Sequence, residues 1–453
     1  MQHLDALLAD QRTTRRRFLG NALGAALLAG CPVSASEPKG ISPEPDLLAS
    51  ADKRIQRHRT TAGTITLRKP NGRPIPGARL RVEQLRHAFL FGSRYNALGD
   101  PALAAAYNQR FSALLNDATI GVVWPHLVPT QGKPDYAPTD AAVDWCQRHF
   151  ITCLGHALVW DHPDWSPKWL PGILLAVGEL SSDYVEAVVS RYRGRIDNWC
   201  VVNEPTHLGN PAFAKEATSH LGQYGASVGP RAYTTEYLKV ARAANPKATL
   251  LVNDYRTDIA YCVLLESLKE NGRYLFDAVG LQSHMHQGPW PLTQVWEFCE
   301  LFAGLGLPIR FTETTVLSGP LLGSGDRWGP TNPELEEKQA DYVAQYYTLL
   351  FSHPAVQAVN WWDFSDLIGW RGAASGLLRK DLSPKPAYDR LQHLIKNQWW
   401  TRTSGPTDKA GAFQFRGFHG LYRVFVELPN GDQLTRTVEW NPQTAHHTEI
   451  LVG

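Results

Sequence analysis

The chain has few methionines and cysteines, two and six among 453 residues, and only 19% of its residues are charged. No two cysteines lie at metal-ligand spacing, so the sequence does not indicate a cysteine-based metal site. The formal net charge is +2, and outside the first thirty residues no basic stripe is present, which argues against a nucleic-acid partner. Outside the first thirty residues, no apolar run approaches the roughly 18–20 residues that a membrane-spanning helix needs.

Aromatic and apolar residues are abundant instead. Hydrophobic residues make up 43% of the chain, and there are fifteen tryptophans and sixteen tyrosines. The composition is that of a globular protein with a large core. Tryptophan also stacks on the apolar faces of sugar rings, although most of the fifteen are expected in the core.

Residues 1–30 have the pattern of a targeting segment and are left out of the fold prediction. The stretch 14–19 (TRRRFL) resembles a twin-arginine export signal, and 28–31 (LAGC) resembles a lipobox whose Cys31 would carry lipid. An ordinary cleavage site at 33–35 (VSA) is the alternative. Removing the segment leaves 41 basic and 41 acidic residues. We expect the protein to be exported by the twin-arginine route and to be a periplasmic or membrane-anchored lipoprotein, or a secreted protein. We also expect it to be a monomer.

The remaining chain divides into four parts. Residues 31–58, rich in proline, serine and acidic residues, are predicted to be a tether. Residues 59–87 alternate apolar and polar side chains around Asn71–Gly72, which predicts a hairpin, and 399–453 show the same pattern around Asn430–Gly431. We expect both flanks to form one small β-sandwich module.

Residues 88–398 alternate short apolar runs with amphipathic segments, which predicts a (β/α)8 TIM barrel in the α/β class. Polar and aromatic residues accumulate at the carboxyl ends of the runs, where such barrels carry out their chemistry. The eight predicted strands are 89–91, 119–124, 152–160, 195–204, 249–254, 278–284, 308–313 and 355–361.

Two of these predicted strands end in a glutamate. Glu204 follows 196–203 (IDNWCVVN), and Glu313 follows 307–312 (LPIRFT). Hydrolysis of a glycosidic bond needs one carboxyl group to protonate the leaving oxygen and a second to attack or to activate water. Either glutamate alone would more often be a solvated surface charge.

Several motifs occur in an order that resembles glycoside hydrolase family 10, to which the xylanases belong. They span about 88–398, and the flanks resemble the extra β module of plant-type members. The motifs are 155–160 (GHALVW), 199–205 (WCVVNEP), 252–255 (VNDY), 280–284 (GLQSH), 311–313 (FTE), 361–366 (WWDFSD), Trp370, 376–378 (GLL) and 385–388 (KPAY).

The resemblance implies a retaining mechanism with Glu204 as acid/base and Glu313 as nucleophile. It further implies that Asn203 contacts the sugar 2-hydroxyl, that His284 holds Glu313 with Gln282 beside it, and that four residues bind sugar: His156, Trp160, Trp362 and Trp370. Taken singly, such histidines and tryptophans are more often core residues. No cofactor is expected. His284 and His286 share one side of a strand, but no carboxylate cluster completes a metal site.

One strand departs from the family pattern. The family's second strand ends in Glu-Asn-x-x-Lys-Trp, which grips the glycone sugars, whereas 119–124 here is TIGVVW. Three functions therefore remain open. The first is cleavage of β-1,4-xylosidic bonds in a plant cell-wall polysaccharide or its oligosaccharides. The second is a β-glycosidase with another glycone specificity, and the third is an inactive carbohydrate-binding lipoprotein.

Overall fold

The computed structural model describes residues 44–208, 219–322, 327–446 and 448–452. The targeting segment 1–30, Cys31 and the first part of the predicted tether lie outside the described residues.

Nineteen strands are found in these residues. They are β1 (Thr60–Arg68), β2 (Arg79–His87), β3 (Leu90–Arg94), β4 (Asp117–Gly121), β5 (Thr152–His156), β6 (Val159–Trp160), β7 (Asn198–Asn203), β8 (Thr249–Asp254), β9 (Lys269–Glu270), β10 (Arg273–Tyr274), β11 (Ala278–Leu281), β12 (His284–Met285), β13 (Ile309–Val316), β14 (Val356–Trp361), β15 (Arg402–Pro406), β16 (Ala412–Phe418), β17 (Gly420–Glu427), β18 (Gln433–Trp440) and β19 (Thr448–Leu451).

Twelve α-helices accompany them in the same described ranges. They are α1 (Glu44–Ala49), α2 (Ala51–Arg59), α3 (Pro101–Leu114), α4 (Trp124–Leu127), α5 (Ala137–Arg148), α6 (Leu174–Arg191), α7 (His220–Val228), α8 (Pro230–Ala244), α9 (Ile259–Ser267), α10 (Leu292–Ala303), α11 (Pro333–Ser352) and α12 (Pro386–His393). Short 3-10 turns lie at Pro163–Trp165, Pro205–His207, Asp366–Ile368 and Trp370–Gly372, and a π-helical turn spans Leu394–Gln398.

Eight parallel strands close into a barrel, as predicted. Their order is β3, β4, β5, β7, β8, β11, β13, β14, and the barrel closes because β14 pairs with β3. The short β6 and β12 extend the wall beside β7 and β13. The second strand begins and ends earlier than predicted: Trp124 opens α4, where Pro125 suits the first turn of a helix. The connection between β3 and β4 contains α3.

The two flanks form a second, smaller core. One sheet has the order β16-β1-β19 and the other β15-β2-β17-β18, so each contains strands from both ends of the chain. Fourteen buried residues between them form a core of their own. The two-sheet module is therefore as predicted, and β17 and β18 pair around Asn430–Gly431. The predicted hairpin around Asn71–Gly72 is wrong, because β1 and β2 belong to different sheets.

The tether prediction is wrong for residues 44–58, which form α1 and most of α2. Arg54 on α2 donates to Ser352 Oγ at the end of α11. Arg59 donates from Nε to Phe351 O (2.7 Å) and from Nη2 to Val356 O (2.7 Å). Lysine and arginine side chains commonly bind the carbonyl groups that a helix leaves unpaired at its C-terminus. In the described part of the chain, no helix is both long and apolar enough to cross a membrane.

Candidate active site

The nine residues predicted for the site lie together near the carboxyl ends of the barrel strands, in one group of contacts around Glu204 and a second group around Glu313. Most of them end a strand or follow one directly, so the chain leaves the barrel wall where the site is built. Parallel strands bring these ends to one face, which is where barrels of this kind bind and react. The nine are His156, Trp160, Asn203, Glu204, Gln282, His284, Glu313, Trp362 and Trp370.

Glu204 is buried just past the end of β7, at a backbone position with φ 54° and ψ 45°. Gln282 Nε2 donates to Glu204 Oε1 at 2.7 Å, and Trp160 Nε1 donates to Oε2 at 3.2 Å. Burial raises the pKa of Glu204 well above its usual range. The Gln282 hydrogen bond opposes this shift, and the negative charges of Asp254, Glu313 and Asp161 add to it. Glu204 is therefore suited to carry a proton.

Glu313 is equally buried but is surrounded by donors. Asn253 Nδ2 donates to Oε1 at 2.8 Å, His284 Nε2 lies 3.0 Å from Oε2, and His156 Nε2 lies 3.6 Å from Oε1. Burial alone would raise the pKa of Glu313. The two histidines and the Asn253 hydrogen bond outweigh burial and lower it below the usual value. At pH values between the two pKa values, Glu313 is therefore ionised while Glu204 is protonated.

Aromatic rings surround these carboxyl groups. The Trp362 ring packs edge-on against His156 and His284, with centroids 5.5 and 5.8 Å apart, and Trp370 lies 4.9 Å from His284. Trp160 stacks on His162 at 4.6 Å. The Nε1 of Trp362 and the Nδ1 of His156 are buried without a hydrogen-bond partner among the described residues. Buried polar atoms of this kind are candidates for binding a substrate hydroxyl.

In the described ranges, no group of three or more His, Cys, Asp and Glu side chains is arranged to hold a metal ion. The five cysteines from Cys146 to Cys299 are buried free thiols. The site offers two carboxyl groups whose pKa values are shifted in opposite directions, with amide and imidazole donors between aromatic walls.

The sequence profile of glycosyl hydrolase family 10 matches residues 90–394, well over half of the chain. The chain belongs to glycosyl hydrolase family 10. It is 28% identical over 295 residues to endo-1,4-beta-xylanase B of Thermotoga neapolitana, covering 61% of this chain and 78% of that protein. The fold is similar to that of xylanase 10B from Thermotoga petrophila, crystallised in complex with xylobiose, with a TM-score of 0.57 and 24% identity over 69% of this chain and 95% of that one.

A relative that also matches the flanks has a different name. The anti-sigma-I factor RsgI6 of Acetivibrio thermocellus is 26% identical over 401 residues, which is 86% of this chain and 48% of that protein. The chain thus spans about half the length of this curated relative.

Asn253 is a site residue of this family 10 chain that the sequence prediction did not include. Its Nδ2 donates both to Asn203 Oδ1 (2.7 Å) and to Glu313 Oε1 (2.8 Å), and its Oδ1 accepts from Thr312 Oγ1 (2.6 Å). Gly280 makes room for it, since a Cβ there would lie 2.4 Å from Asn253 Oδ1. The motif VNDY at 252–255 indicated polar residues near the end of this strand, but asparagine and aspartate at such positions commonly do no more than end a strand.

Gln282 was expected beside Glu313 but bonds the other glutamate. Its Nε2 contacts Glu204 Oε1 at 2.7 Å, whereas its backbone carbonyl accepts from the Glu313 amide. Asn203 Nδ2 also reaches Glu204 Oε1, at 3.3 Å. Another missed neighbour, His207, has its Nδ1 3.3 Å from Glu204 Oε2. The amide side chains therefore connect the two glutamates into one network.

Asp254 and Asp161 lie near Glu204 and were not predicted as site residues. Burial raises the pKa of Asp254 to about 6, although Thr206 donates to it from both its backbone amide (3.2 Å) and its hydroxyl (2.8 Å). Burial raises the pKa of Asp161 to about 7. Each adds to the elevation of the Glu204 pKa when it is ionised.

Arg94, at the end of β3, is a further residue that the sequence prediction missed. Its Nη2 donates to Asp363 Oδ1 at 3.0 Å, and the guanidinium group lies 4.8 Å from the centroid of the Trp362 ring. Its side chain is 24% exposed, while that of Asp363 is completely buried. β3 and β4 pair Arg94 with Thr119, the first residue of the stretch that departs from the family motif.

The departing stretch 119–124 supplies no charged side chain to the site. Thr119 Oγ1 accepts a hydrogen bond from Asn360 Nδ2 at 3.1 Å, and Ile120 and Val122 are buried. Trp124 is also buried and stacks on Tyr184 with centroids 4.7 Å apart. Arg94 is therefore a cation on the neighbouring strand, opposite Thr119, the first residue of the stretch where the family motif would put its polar residues.

Proposed function

We propose that this chain hydrolyses β-1,4-xylosidic bonds in xylan or xylo-oligosaccharides by double displacement, with retention of configuration. The single observation that carries the proposal is a pair of buried glutamates in different surroundings: Asn253 Nδ2 donates to Glu313 at 2.8 Å and His284 Nε2 lies 3.0 Å from it, which lowers its pKa, whereas burial raises the pKa of Glu204. Two carboxyl groups whose surroundings separate their pKa values are the arrangement that glycoside hydrolysis needs.

In the first step, an electron pair of the Glu313 carboxylate forms a bond to the anomeric carbon. The bond from that carbon to the glycosidic oxygen breaks, and the Glu204 carboxyl group transfers its proton to the departing oxygen. This gives a glycosyl ester on Glu313. In the second step, the Glu204 carboxylate takes a proton from water, the water oxygen bonds to the anomeric carbon, and the ester bond to Glu313 breaks. Both glutamates return to their initial states.

The remaining residues have positioning and binding roles in this proposal. Asn253 and His284 keep Glu313 charged through the contacts at 2.8 and 3.0 Å. Asn203 contacts the sugar 2-hydroxyl, and the buried Nδ1 of His156 and Nε1 of Trp362 bind further hydroxyl groups. The Trp160 and Trp370 rings form the walls against which the sugar rings stack.

The substrate class is supported by the names of relatives, since several curated proteins that match this chain are endo-1,4-beta-xylanases. A second candidate, a β-glycosidase with another glycone specificity, is favoured by one observation. The stretch 119–124 supplies no charged group, whereas Arg94 stands beside Trp362 at 4.8 Å. Both candidates use the same chemistry at Glu204 and Glu313.

A panel of xylo-, gluco- and manno-oligosaccharides, with products identified by mass spectrometry, tests the proposal. We expect xylo-oligosaccharides to be cleaved fastest and the Glu313→Ala variant to lose turnover while it keeps its circular dichroism spectrum. Glu297→Ala, which removes an exposed glutamate on α10, is the matched control and should retain full activity. Faster cleavage of another sugar favours the second candidate. Sugar binding without turnover by the wild-type protein would support the inactive alternative.

We also propose export by the twin-arginine route and lipid attachment at Cys31. The support is in the sequence, at 14–19 and 28–31. Expression of Cys31→Ser beside the wild type tests it by detergent phase partitioning. The wild type should enter the detergent phase and the variant the aqueous phase; equal partitioning would reject lipidation.

A further inference from the structure

A cavity of about 270 Å³ lies at the base of the barrel, on the face opposite the glutamates. Its walls include residues at the amino ends of three barrel strands, among them Arg310 in β13 and Gln357 in β14. The N-terminal flank contributes Arg59, and the C-terminal flank contributes His419. None of the nine residues that line the cavity is acidic. The cavity is therefore shared by the barrel and both flanks and is basic in character.

Arg310 is the first of two guanidinium groups in this cavity. It is only 7% exposed, and its Nη1 donates to Asn198 Oδ1 at 3.0 Å. Its Nε is buried without a hydrogen-bond partner in the part of the chain that the structure describes. Asp117 and Asp277 are the carboxylates that act on it electrostatically, yet neither forms an ion pair with it among the described residues. A buried N–H without an acceptor is costly, so this site favours an added acceptor.

Arg59 is the second guanidinium group. Its hydrogen bonds to Phe351 O, His353 O and Val356 O satisfy N–H donors but do not neutralise its charge. Within the described ranges, no carboxylate forms an ion pair with Arg59. Two arginines without an ion-pair partner thus line a cavity that has no acidic wall.

The two histidines supply polarity instead of charge. His87 Nε2 donates to Ile395 O at 3.2 Å, and His87 Nδ1 accepts from Gln84 Nε2 at 3.2 Å, an arrangement that requires the neutral ring. Burial lowers the pKa of His87 to about 3. His419 Nε2 bonds Thr61 Oγ1 at 2.8 Å, and burial lowers its pKa too. The positive charge of the cavity at neutral pH therefore comes from Arg59 and Arg310.

We propose that this cavity binds a small oxyanion of the phosphate or sulfate class between Arg59 and Arg310. Planar guanidinium groups suit such anions because they offer several N–H donors in a fixed arrangement. The anion would link the base of the barrel to the flanking module and stabilise the folded chain, since a ligand that binds only the folded state raises the free energy of unfolding. This site is independent of the proposed hydrolysis.

Titration of the whole chain with inorganic phosphate, with chloride used to keep the ionic strength constant, tests the proposal. We expect a saturable rise in Tm and a calorimetric binding isotherm. Gln357→Glu places a carboxylate at an exposed position of the cavity wall. It should raise Tm without phosphate and weaken phosphate binding at least tenfold. Gln433→Glu makes the same charge change at an exposed position of β18 outside the cavity and should bind phosphate like the wild type.

Two results would overturn the proposal. One is a wild-type Tm that does not change saturably with phosphate. The other is equal phosphate binding by Gln357→Glu and Gln433→Glu, which would mean that the anion acts elsewhere on the surface. Neither variant removes a buried group, so both should fold.

Discussion

His284→Phe tests whether the histidine keeps Glu313 ionised. His284 Nε2 lies 3.0 Å from Glu313 Oε2, and the ring packs against Trp362 and Trp370. Phenylalanine keeps a ring of similar size at this position but removes the donor. A hydrogen bond to a charged group contributes about 1.5–3 kcal/mol, and one pKa unit corresponds to about 1.4 kcal/mol. The pKa of Glu313 should therefore rise by about 1 to 2 units.

The assay is the pH dependence of kcat/KM. Glu313 must be ionised to attack, and its pKa lies below the usual value, so activity is present above this pKa and is lost as the pH falls through it. The acid limb of His284→Phe should shift to higher pH by about 1 to 2 units. His284→Gln restores an amide donor and should return the limb part of the way. An unchanged acid limb with lower activity at the plateau would refute the reasoning, because His284 would then act on the substrate and not on the charge of Glu313.

Three other substitutions test the network around the glutamates. Burial raises the pKa of Glu204, so the folded state loses stability as the pH rises from about 4.5 through the folded-state pKa. Glu204→Gln should therefore raise the free energy of unfolding at pH 8 but not at pH 4. The expected gain, measured by urea unfolding, is about 1.4 kcal/mol for each unit by which the pKa of Glu204 is raised. Asn253→Asp replaces a donor to Glu313 with a carboxylate and should lower kcat/KM at least about 100-fold, or about 2.7 kcal/mol, with the fold checked by near-ultraviolet circular dichroism. Arg94→Met should raise KM for xylo-oligosaccharides more than it lowers kcat. It should also lower Tm, because buried Asp363 loses its ion-pair partner. For Glu204→Gln, a free energy of unfolding equal to that of the wild type at both pH values would contradict the expectation. Undiminished kcat/KM would do so for Asn253→Asp, and an unchanged KM for Arg94→Met.

The barrel could be predicted because its strands carry local signals. Each of the eight is a short apolar run followed by polar or aromatic residues, and the amphipathic segments between them have helical spacing. The motif WCVVNEP places Glu204 at the end of such a run, directly after β7. FTE places Glu313 at the end of a similar run, although β13 continues beyond the predicted end, to Val316. Local patterns of this kind survive in the fold because the carboxyl ends of parallel strands meet on one face.

Partner choice over long distances could not be predicted. The alternation of β1 and β2 indicates two strands, but their partners β16 and β17 lie more than 300 residues further along the chain. The short connection around Asn71–Gly72 therefore suggested a hairpin that does not form. In the same way, nothing near Arg94 in the sequence indicates that Asp363 will bind it and place its guanidinium group over Trp362.

The tether prediction was wrong for a related reason. Residues 44–58 have a polar composition typical of a linker, but Arg54 and Arg59 bind groups at the C-terminal end of α11 that the local sequence does not reveal. Asn253 shows the opposite problem. Its strand-end position was evident, but its two-way donation to Asn203 and Glu313 depends on the space that Gly280 leaves on β11.

The most direct test of the central claim is covalent trapping of the nucleophile. A 2-deoxy-2-fluoro xylobioside with a good leaving group slows both steps and should allow the glycosyl ester to accumulate. Mass spectrometry of the intact protein and of its peptides should then show one added glycosyl unit, located on Glu313. Attachment at another residue, or no attachment together with a first product of inverted anomeric configuration, would contradict the assignment of Glu313 as nucleophile and Glu204 as acid/base.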